Sequence, residues 1–195
     1  MNRMIFAVLS LLFFVATQSE SAESRLESWY TYWGIGAVSP SHPEELADIL
    51  DFLEALPGIT RTTISLDFLG FYWPLQDRYL LGGVINGFND RIEVDSEGLN
   101  IIGLTYGLSL HYFPQRHIGQ GFFFRSDVGP ALMAVTSDDG TVDETSDWGL
   151  GGLVGAGWSQ PITSGTRLTF QVNGSLRQVE GDSWGALSFT LGGLF

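Results

Sequence analysis

One pair of side chains in the sequence has the residue types of a nucleophilic catalyst. Ser109 and His111 stand two positions apart in an alternating stretch, so an extended strand would place them on the same face. A serine beside a histidine becomes an activated nucleophile when an acidic third group completes the set. The same face carries Thr105 and Gly107, and the opposite face is apolar, which favours polar filling of an interior over catalysis. We therefore predict no catalytic residue.

The acidic and glycine-rich segments lack the spacing of known binding motifs. Asp138, Asp139, Asp143 and Glu144 do not follow the ligand spacing of a calcium loop, and the histidines have no second ligand at metal spacing. The glycine-rich run 149–152 lies in a strand-like segment and precedes no helix, unlike a nucleotide-binding loop. The sequence therefore predicts no metal site and no cofactor, and the acidic segment is interpreted as a solvated loop.

Five charged residues share strand faces with small polar residues: Arg61, Asp67, Arg125, Asp127 and Arg167. If the apolar faces point outward, these charges point into an interior of limited volume, where an unpaired charge is costly. Counted from the neighbouring turns, Asp67 and Arg125 reach similar depth. We predict that the five form an interior polar plug in which Arg125 bridges Asp67, with Asp127 and Arg167 completing it. An ion-selective constriction or gate is the functional alternative.

Eight strand-like runs supply these faces, and each is long enough to cross a membrane when tilted. Their side-chain period is two, with apolar residues on one face and small or polar residues on the other. Segments after the odd-numbered runs hold 16 of the 22 carboxylates, while the even-numbered connections are short and carry proline. The predicted strands are 29–38, 61–72, 78–88, 102–112, 121–134, 148–158, 167–177 and 184–195.

Composition narrows the fold class and the partners. The net charge of −13 excludes nucleic acid as a partner, because phosphates require a basic surface. There is no cysteine, hence no disulfide and no acceptor for an N-terminal lipid. The 25 glycines and 26 aromatic residues favour a β-barrel over a soluble α/β domain.

Both chain ends carry recognisable patterns. Residues 1–22 combine Arg3 with an apolar run of about a dozen residues and then small residues, which predicts a cleavable signal peptide. Residues 23–195 are predicted to form a single domain. The last strand ends on an aromatic residue, and its apolar face consists of Leu187, Phe189, Leu191 and Phe195.

These features together resemble the small eight-stranded outer-membrane proteins of bacteria, such as the OmpA membrane domain, OmpX and OmpW-like barrels. The resemblance implies an all-β fold, an eight-stranded antiparallel transmembrane barrel with one short helix in its first outer loop. It also implies location in the outer membrane of a Gram-negative-type bacterium. In that family the apolar face of the last strand is the assembly signal, here Leu187, Phe189, Leu191 and Phe195.

One segment has a helical pattern. Residues 43–55 follow a capping-box sequence that starts at Ser41, and Pro57 and Gly58 stop the pattern. Its apolar stripe is Leu46, Ile49, Leu50 and Leu53. We predict that the stripe packs against the barrel rim or mouth, with a gating lid or a partner-binding helix as alternatives.

The expected role is structural or surface-interacting, without a wide pore, because eight strands leave an interior just filled by side chains. The alternatives are a narrow OmpW-like conduit for small hydrophobic molecules, a lipid-modifying enzyme and a lipocalin-like soluble binder. The expected partners are outer-membrane lipid, lipopolysaccharide and the barrel-assembly machinery, which would bind the last strand. For the acidic segment with Asp138, Asp139, Asp143 and Glu144, loose bridging to lipopolysaccharide by divalent ions is the alternative to a solvated loop. A monomer is expected.

Overall fold

The computed structural model describes residues 26–94, 97–115 and 117–195. The predicted signal peptide, residues 1–22, lies outside the described residues. None of the helices in these ranges is long and apolar enough to cross a membrane. Helix α1 spans Glu44–Glu54, and the strands are β1 Tyr30–Ser41, β2 Ile59–Gln76, β3 Tyr79–Val94, β4 Glu97–Tyr112, β5 Gly121–Ser137, β6 Asp143–Thr145, β7 Gly149–Pro161, β8 Arg167–Val179 and β9 Asp182–Leu194.

Eight of these strands close into an antiparallel barrel, and the short β6 pairs only with β5, outside the ring. The first and last strands close the barrel, with register from Tyr32 opposite Leu194 to Ser41 opposite Gly185. Beyond this register, Thr31 and Phe195 exchange two backbone hydrogen bonds of 2.9 Å. Closure leaves no unpaired edge in the ring, which is the condition for a sheet to span a membrane.

The predicted alternation of side chains holds on β4, β5, β7, β8 and β9, whereas β2 contains a β-bulge. Asp67 and Leu69 pair with consecutive residues of β3, which leaves one extra residue in β2. The extra residue reverses the faces that follow it. Phe71 and Trp73 therefore point outward. Tyr72, whose parity with Leu66 and Phe68 predicts an outward position, is fully buried in the interior.

Two tight hairpins differ from the predicted long loops. Strand β3 ends at Val94 and β4 begins at Glu97, and these two residues pair with each other. Glu180 and Gly181 separate β8 from β9. Their φ angles, 54° for Glu180 and 93° for Gly181, are positive and suit a two-residue turn. The acidic segments predicted as loops are there mostly extensions of the strands. We call this end of the barrel, which also carries α1 and residues 138–148, the mouth. The opposite end is the base, with the connections 77–78, 113–120 and 162–166.

Helix α1 packs over the mouth. Its N-cap residue is Pro43 and no side chain caps it, so the predicted capping box is wrong, because Ser41 is the last residue of β1. Leu50 is buried and Leu46 packs partly buried beside it. Ile49, predicted in the same stripe, is exposed instead.

Two apolar clusters occupy the two ends of the interior. The mouth cluster, beneath α1, consists of Val38, Leu50, Phe88, Ile92, Ile101, Ala131, Met133 and Val179. The base cluster consists of Tyr30, Tyr32, Tyr72, Leu80, Phe113, Ile118, Phe123 and Leu194. Between them the inward side chains are polar or charged, and they form the candidate site.

Candidate functional site

Arg125 lies at the centre of this polar layer. The inward face of β5 holds its guanidinium, which is almost completely buried. Its two Nη atoms donate hydrogen bonds to both carboxylate oxygens of Asp67, at 2.8 and 2.9 Å. Its Nε and Nη2 donate to Asp127 Oδ2, at 3.0 and 2.6 Å. One arginine thus pairs with two buried carboxylates, and this geometry suits the planar fork of a guanidinium.

A second arginine balances the charge of this group. Arg177 is also buried, and its Nη2 donates a hydrogen bond of 3.2 Å to the side-chain oxygen of Asn86. The amide nitrogen of Asn86 donates in turn to Asp127 Oδ2, at 2.8 Å. Arg125 and Arg177 together therefore match the charges of Asp67 and Asp127. The plug in the structure thus differs in membership from the predicted one, and it consists of Asp67, Asn86, Arg125, Asp127 and Arg177.

Neutral donors complete the hydrogen bonding of Asp67. The hydroxyl of Tyr32 donates to Asp67 Oδ2 at 3.0 Å, and the amide of Gln171 donates to that hydroxyl. The Arg125 guanidinium carbon also lies 5.5 Å from the centre of the Tyr32 ring, within the range of a cation–π contact. The plug is therefore tied to β1 and β8 as well as to β2, β3 and β5.

The structure separates Arg167 from the plug, which corrects the sequence prediction. Arg167 is the first residue of β8, so its side chain enters the interior at the base, far from the depth of Arg125. Its guanidinium carbon lies 5.0 Å from the Tyr30 ring centre, and Nη1 donates to the carbonyl of Gly165 at 3.3 Å.

Arg61 is also separated from the plug, because it stands near the start of β2 at the mouth. It donates two hydrogen bonds to Asp90, at 2.9 and 2.7 Å, and one of 3.3 Å to Glu54 at the end of α1. His42, just before α1, places its Nε2 2.7 Å from Asp90 Oδ2. This latch, made of Arg61, Asp90, His42 and Glu54, fastens both ends of the helix to the barrel.

Little free volume remains in the interior. A cavity of about 10 Å³, bordered by Ser65, Asn86, Asn173, Arg177 and Thr190 among others, has room for about one water molecule. Three plug residues, Asp67, Asn86 and Arg177, line this cavity, so it lies beside them within the polar layer. At this depth Arg125 and its two carboxylate partners occupy the interior with buried side chains.

Ser109 and His111 lie inside the base, where aromatic side chains enclose them. Both are buried, Ser109 accepts a hydrogen bond of 3.0 Å from the hydroxyl of Tyr72, and His111 stacks on Phe123 at 5.5 Å between ring centres. A lipid substrate outside the barrel cannot reach this pair. Across the described ranges, no three or more His, Cys, Asp or Glu side chains are grouped to hold a metal ion.

The outer surface of the barrel is apolar where a soluble protein would be polar. Leu108 and Val154, in the middle of β4 and β7, are 67% and 68% exposed. Large aromatic side chains ring the base on the outside, namely Trp33, Trp73, Phe122, Phe124, Trp158 and Phe195. The proposed assembly-signal residues also point outward, and they are Leu187, Phe189, Leu191 and Phe195. An apolar band bordered by aromatic residues is typical of transmembrane barrels.

No protein family and no characterised sequence matches the chain. The barrel superposes on Ail, the attachment invasion locus protein of Yersinia pestis, solved in complex with the heparin analogue sucrose octasulfate. The TM-score is 0.51 and the identity 8%, over 87% of this chain and all of that chain. The chain shares its fold with Ail.

Two further solved structures are similar to the chain. A second structure of Ail gives a TM-score of 0.50 at 8% identity, over 87% of this chain and 100% of that chain. Neisserial surface protein A gives 0.48 at 15% identity, over 85% of this chain and 96% of that chain. The likeness to Ail, together with the closed ring of eight strands, confirms the predicted resemblance to small eight-stranded barrels at the level of fold.

The mouth carries most of the acidic side chains. One of them, Asp138, accepts two hydrogen bonds from Arg91 at 2.9 and 2.6 Å, which hold the pKa of its carboxyl below the usual range. The carboxylates of α1 differ, since Glu54 alone among them forms an ion pair within the described residues. The mouth is therefore an acidic surface that is incompletely neutralised.

Proposed function

We propose that this chain is an integral outer-membrane β-barrel protein of a Gram-negative-type bacterium, with a structural or surface-interaction role and no wide pore. The observation that carries the proposal is the contrast between the two faces of the barrel wall. Outward side chains such as Leu108 and Val154 are apolar, and inward ones such as Arg125 and Asp67 are charged and paired. This is the reverse of a soluble protein, and lipid around the barrel together with the plug inside it explains the arrangement.

The proposed orientation follows from the two ends of the barrel. The mouth, with its acidic segments and α1, faces the outside of the cell, where lipopolysaccharide is the neighbour. The base, with both ends of the described chain, faces the periplasm. The barrel-assembly machinery reads the last strand through Leu187, Phe189, Leu191 and Phe195. The barrel is a monomer in lipid.

The structure gives little support to the other functions considered from the sequence. A conduit for small hydrophobic molecules requires a continuous apolar passage, whereas the interior is polar at mid-depth and blocked by Arg125. A lipid-modifying enzyme requires its nucleophile at the lipid surface, whereas Ser109 is buried. A lipocalin-like binder requires apolar side chains inside and polar ones outside, which is the reverse of this wall.

The polyanion in the Ail complex is not carried over to this chain. Among the described residues, fifteen carboxylates lie in the segments of the mouth, so a sulfated sugar would meet repulsion there. The surface of this barrel instead suits a partner of opposite charge.

The test joins cell fractionation to conductance. We expect the protein in the outer-membrane fraction, migrating differently before and after heating, and no steady conductance when it is inserted in planar bilayers. The matched control carries Arg125→Ala, Asp67→Ala and Asp127→Ala together, which removes the blocking side chains and is expected to pass ions. Recovery of the wild type in the soluble periplasm, or an open-pore conductance of the wild type, would contradict the proposal.

A further inference from the structure

The outward face of α1 carries an apolar ridge that the barrel does not use. Ile49 and Phe52, three residues apart on α1, are 55% and 66% exposed, and Leu56, two residues after the helix ends, is 41% exposed. The adjacent face of α1, with Leu46 and Leu50, already packs on the mouth cluster. The ridge is therefore not needed to hold α1 in place.

The ridge belongs to the connection between β1 and β2 at the mouth and not to the outer faces of the strands. Helix α1 joins the mouth ends of β1 and β2, and Leu50 inserts among the side chains that close the interior. An apolar cluster that remains in water marks a site of interaction. The bulky, exposed Phe52 makes the largest part of this cluster.

The latch holds the ridge in a fixed orientation. At one end of α1 the His42 side chain bonds the buried Asp90, and at the other Arg61 joins Glu54 to the same Asp90. A partner that binds a surface already ordered loses less entropy than one that must order it. The ridge is thus a preorganised surface rather than a loose segment.

Carboxylates border the ridge on the same helix. Glu45 stands one turn before Ile49, and Asp48 stands one turn before Phe52. No basic residue occupies α1, and within the described part of the chain neither Glu45 nor Asp48 forms an ion pair. The exposed side of the helix therefore combines apolar contact with uncompensated negative charge.

We propose that the ridge Ile49–Phe52–Leu56 and the carboxylates of Glu45 and Asp48 form a docking surface for a cationic amphipathic polypeptide. Apolar side chains of the partner would contact the ridge, and its lysine or arginine side chains would pair with the carboxylates. This inference rests on the proposed function only in that the mouth faces outside the cell. Lipopolysaccharide is the less suitable occupant, because its phosphates would meet Glu45 and Asp48.

The experiment measures peptide binding to the refolded full barrel in zwitterionic detergent. The probe is an 18-residue helical peptide of leucine and lysine, compared with peptides in which glutamine or glutamate replaces every lysine. We expect the lysine peptide to bind, with affinity that falls as salt increases, and the other two to bind at least about tenfold more weakly. Equal binding of the glutamine peptide would overturn the proposal.

Variants locate the site. Ile49→Ser with Phe52→Ser removes the ridge, and Glu45→Gln with Asp48→Asn removes the charge; each is expected to weaken binding about tenfold or more. Asp139→Asn with Asp143→Asn removes the same charge elsewhere at the mouth and is the matched control. If the control weakens binding as much as the site variants, or if the wild type does not bind, the proposal is wrong.

The outcome is separable from that of the proposed function. Binding in detergent does not depend on where the barrel resides in the cell, so a failure of fractionation or conductance leaves the peptide result intact. A final measurement adds lipopolysaccharide micelles in place of the peptide. If they bind the wild type and not the Ile49→Ser, Phe52→Ser variant, the occupant is a lipid and the polypeptide proposal is overturned.

Discussion

Arg125 on β5 and Asp67 on β2 meet across the interior of the barrel through two parallel hydrogen bonds of 2.8 and 2.9 Å. A lysine could not reproduce this contact, because an ammonium has no planar fork for both carboxylate oxygens. The same guanidinium bonds Asp127, so its removal would leave two buried carboxylates close together without a cation in contact. The pair therefore joins strands that are not neighbours and seals the interior.

Replacing Arg125 is expected to destabilise the barrel strongly. Arg125→Ala should lower the free energy of unfolding by about 3–5 kcal/mol, since breaking a buried pair leaves uncompensated charge. The change together with Asp67→Ala should cost less than the sum of the two single changes, because the partners interact directly. Urea unfolding of the barrel in lipid vesicles measures all three variants.

An exposed ion pair provides the control for these single and double variants. Arg91 and Asp138 make a similar two-bond contact, but at the surface of the mouth. Arg91→Ala should change stability only slightly, because water and salt screen exposed pairs. Strictly additive losses for Arg125 and Asp67, or equal losses at Arg91 and Arg125, would contradict the plug.

The terminal aromatic residue is expected to matter for assembly in cells more than for folding. Phe195 stacks on Trp33, with ring centres 6.2 Å apart, and its backbone pairs with Thr31. Phe195→Ala keeps the backbone bonds, whereas deletion of the residue removes them. We expect Phe195→Ala to lower the amount of heat-modifiable barrel in the outer membrane while export to the periplasm continues.

Refolding of the purified protein separates recognition of Phe195 by the assembly machinery from the effect of Phe195 on the stability of the barrel. Phe195→Ala should refold into lipid vesicles nearly as well as the wild type, because the ring is exposed. The matched control is Phe124→Ala, which removes an exposed aromatic near the base that is not part of the assembly signal, and it should assemble normally in cells. Normal assembly of Phe195→Ala in cells would count against recognition of the terminal residue.

Orientation can be tested with a short epitope at either end of the barrel. An insertion after Gly140 lies in an exposed turn of the mouth, and one after Ser164 lies in an exposed turn of the base. On intact cells an antibody should bind the first and miss the second, and permeabilised cells should show both. Surface labelling at Ser164 but not at Gly140 would reverse the proposed orientation.

Much of the fold follows from the period of two along the strands. The alternation identified the inward face of β5, and counting from the turns placed Arg125 at the depth of Asp67. Face and depth are separate quantities, however. Arg61 and Arg167 have the correct face but stand near strand ends, so they pack at the mouth and the base.

Other features left little or no signal in the sequence. The β-bulge in β2 occurs among apolar residues, so the pattern shows no break where Tyr72 turns inward. Arg177 was missed although it continues the inward parity of Asn173, because the predicted strand ended there. Asn86 was missed since a glycine-rich strand has few side chains from which to read a face. Contacts between distant strands require the register, which a single sequence does not supply.

The most direct test of the central claim measures whether water or lipid surrounds two neighbouring side chains of β4, with a residue of the mouth as the reference. The chain has no cysteine, so single cysteines at Leu108, Ser109 and Asp139 report the outside of the wall, the interior and the mouth. In native outer membranes, a hydrophilic thiol reagent should label Asp139→Cys and neither of the others, while a lipid-soluble reagent should label Leu108→Cys. Hydrophilic labelling of Leu108→Cys as rapid as that of Asp139→Cys would show that the apolar face lies in water and would contradict the membrane barrel.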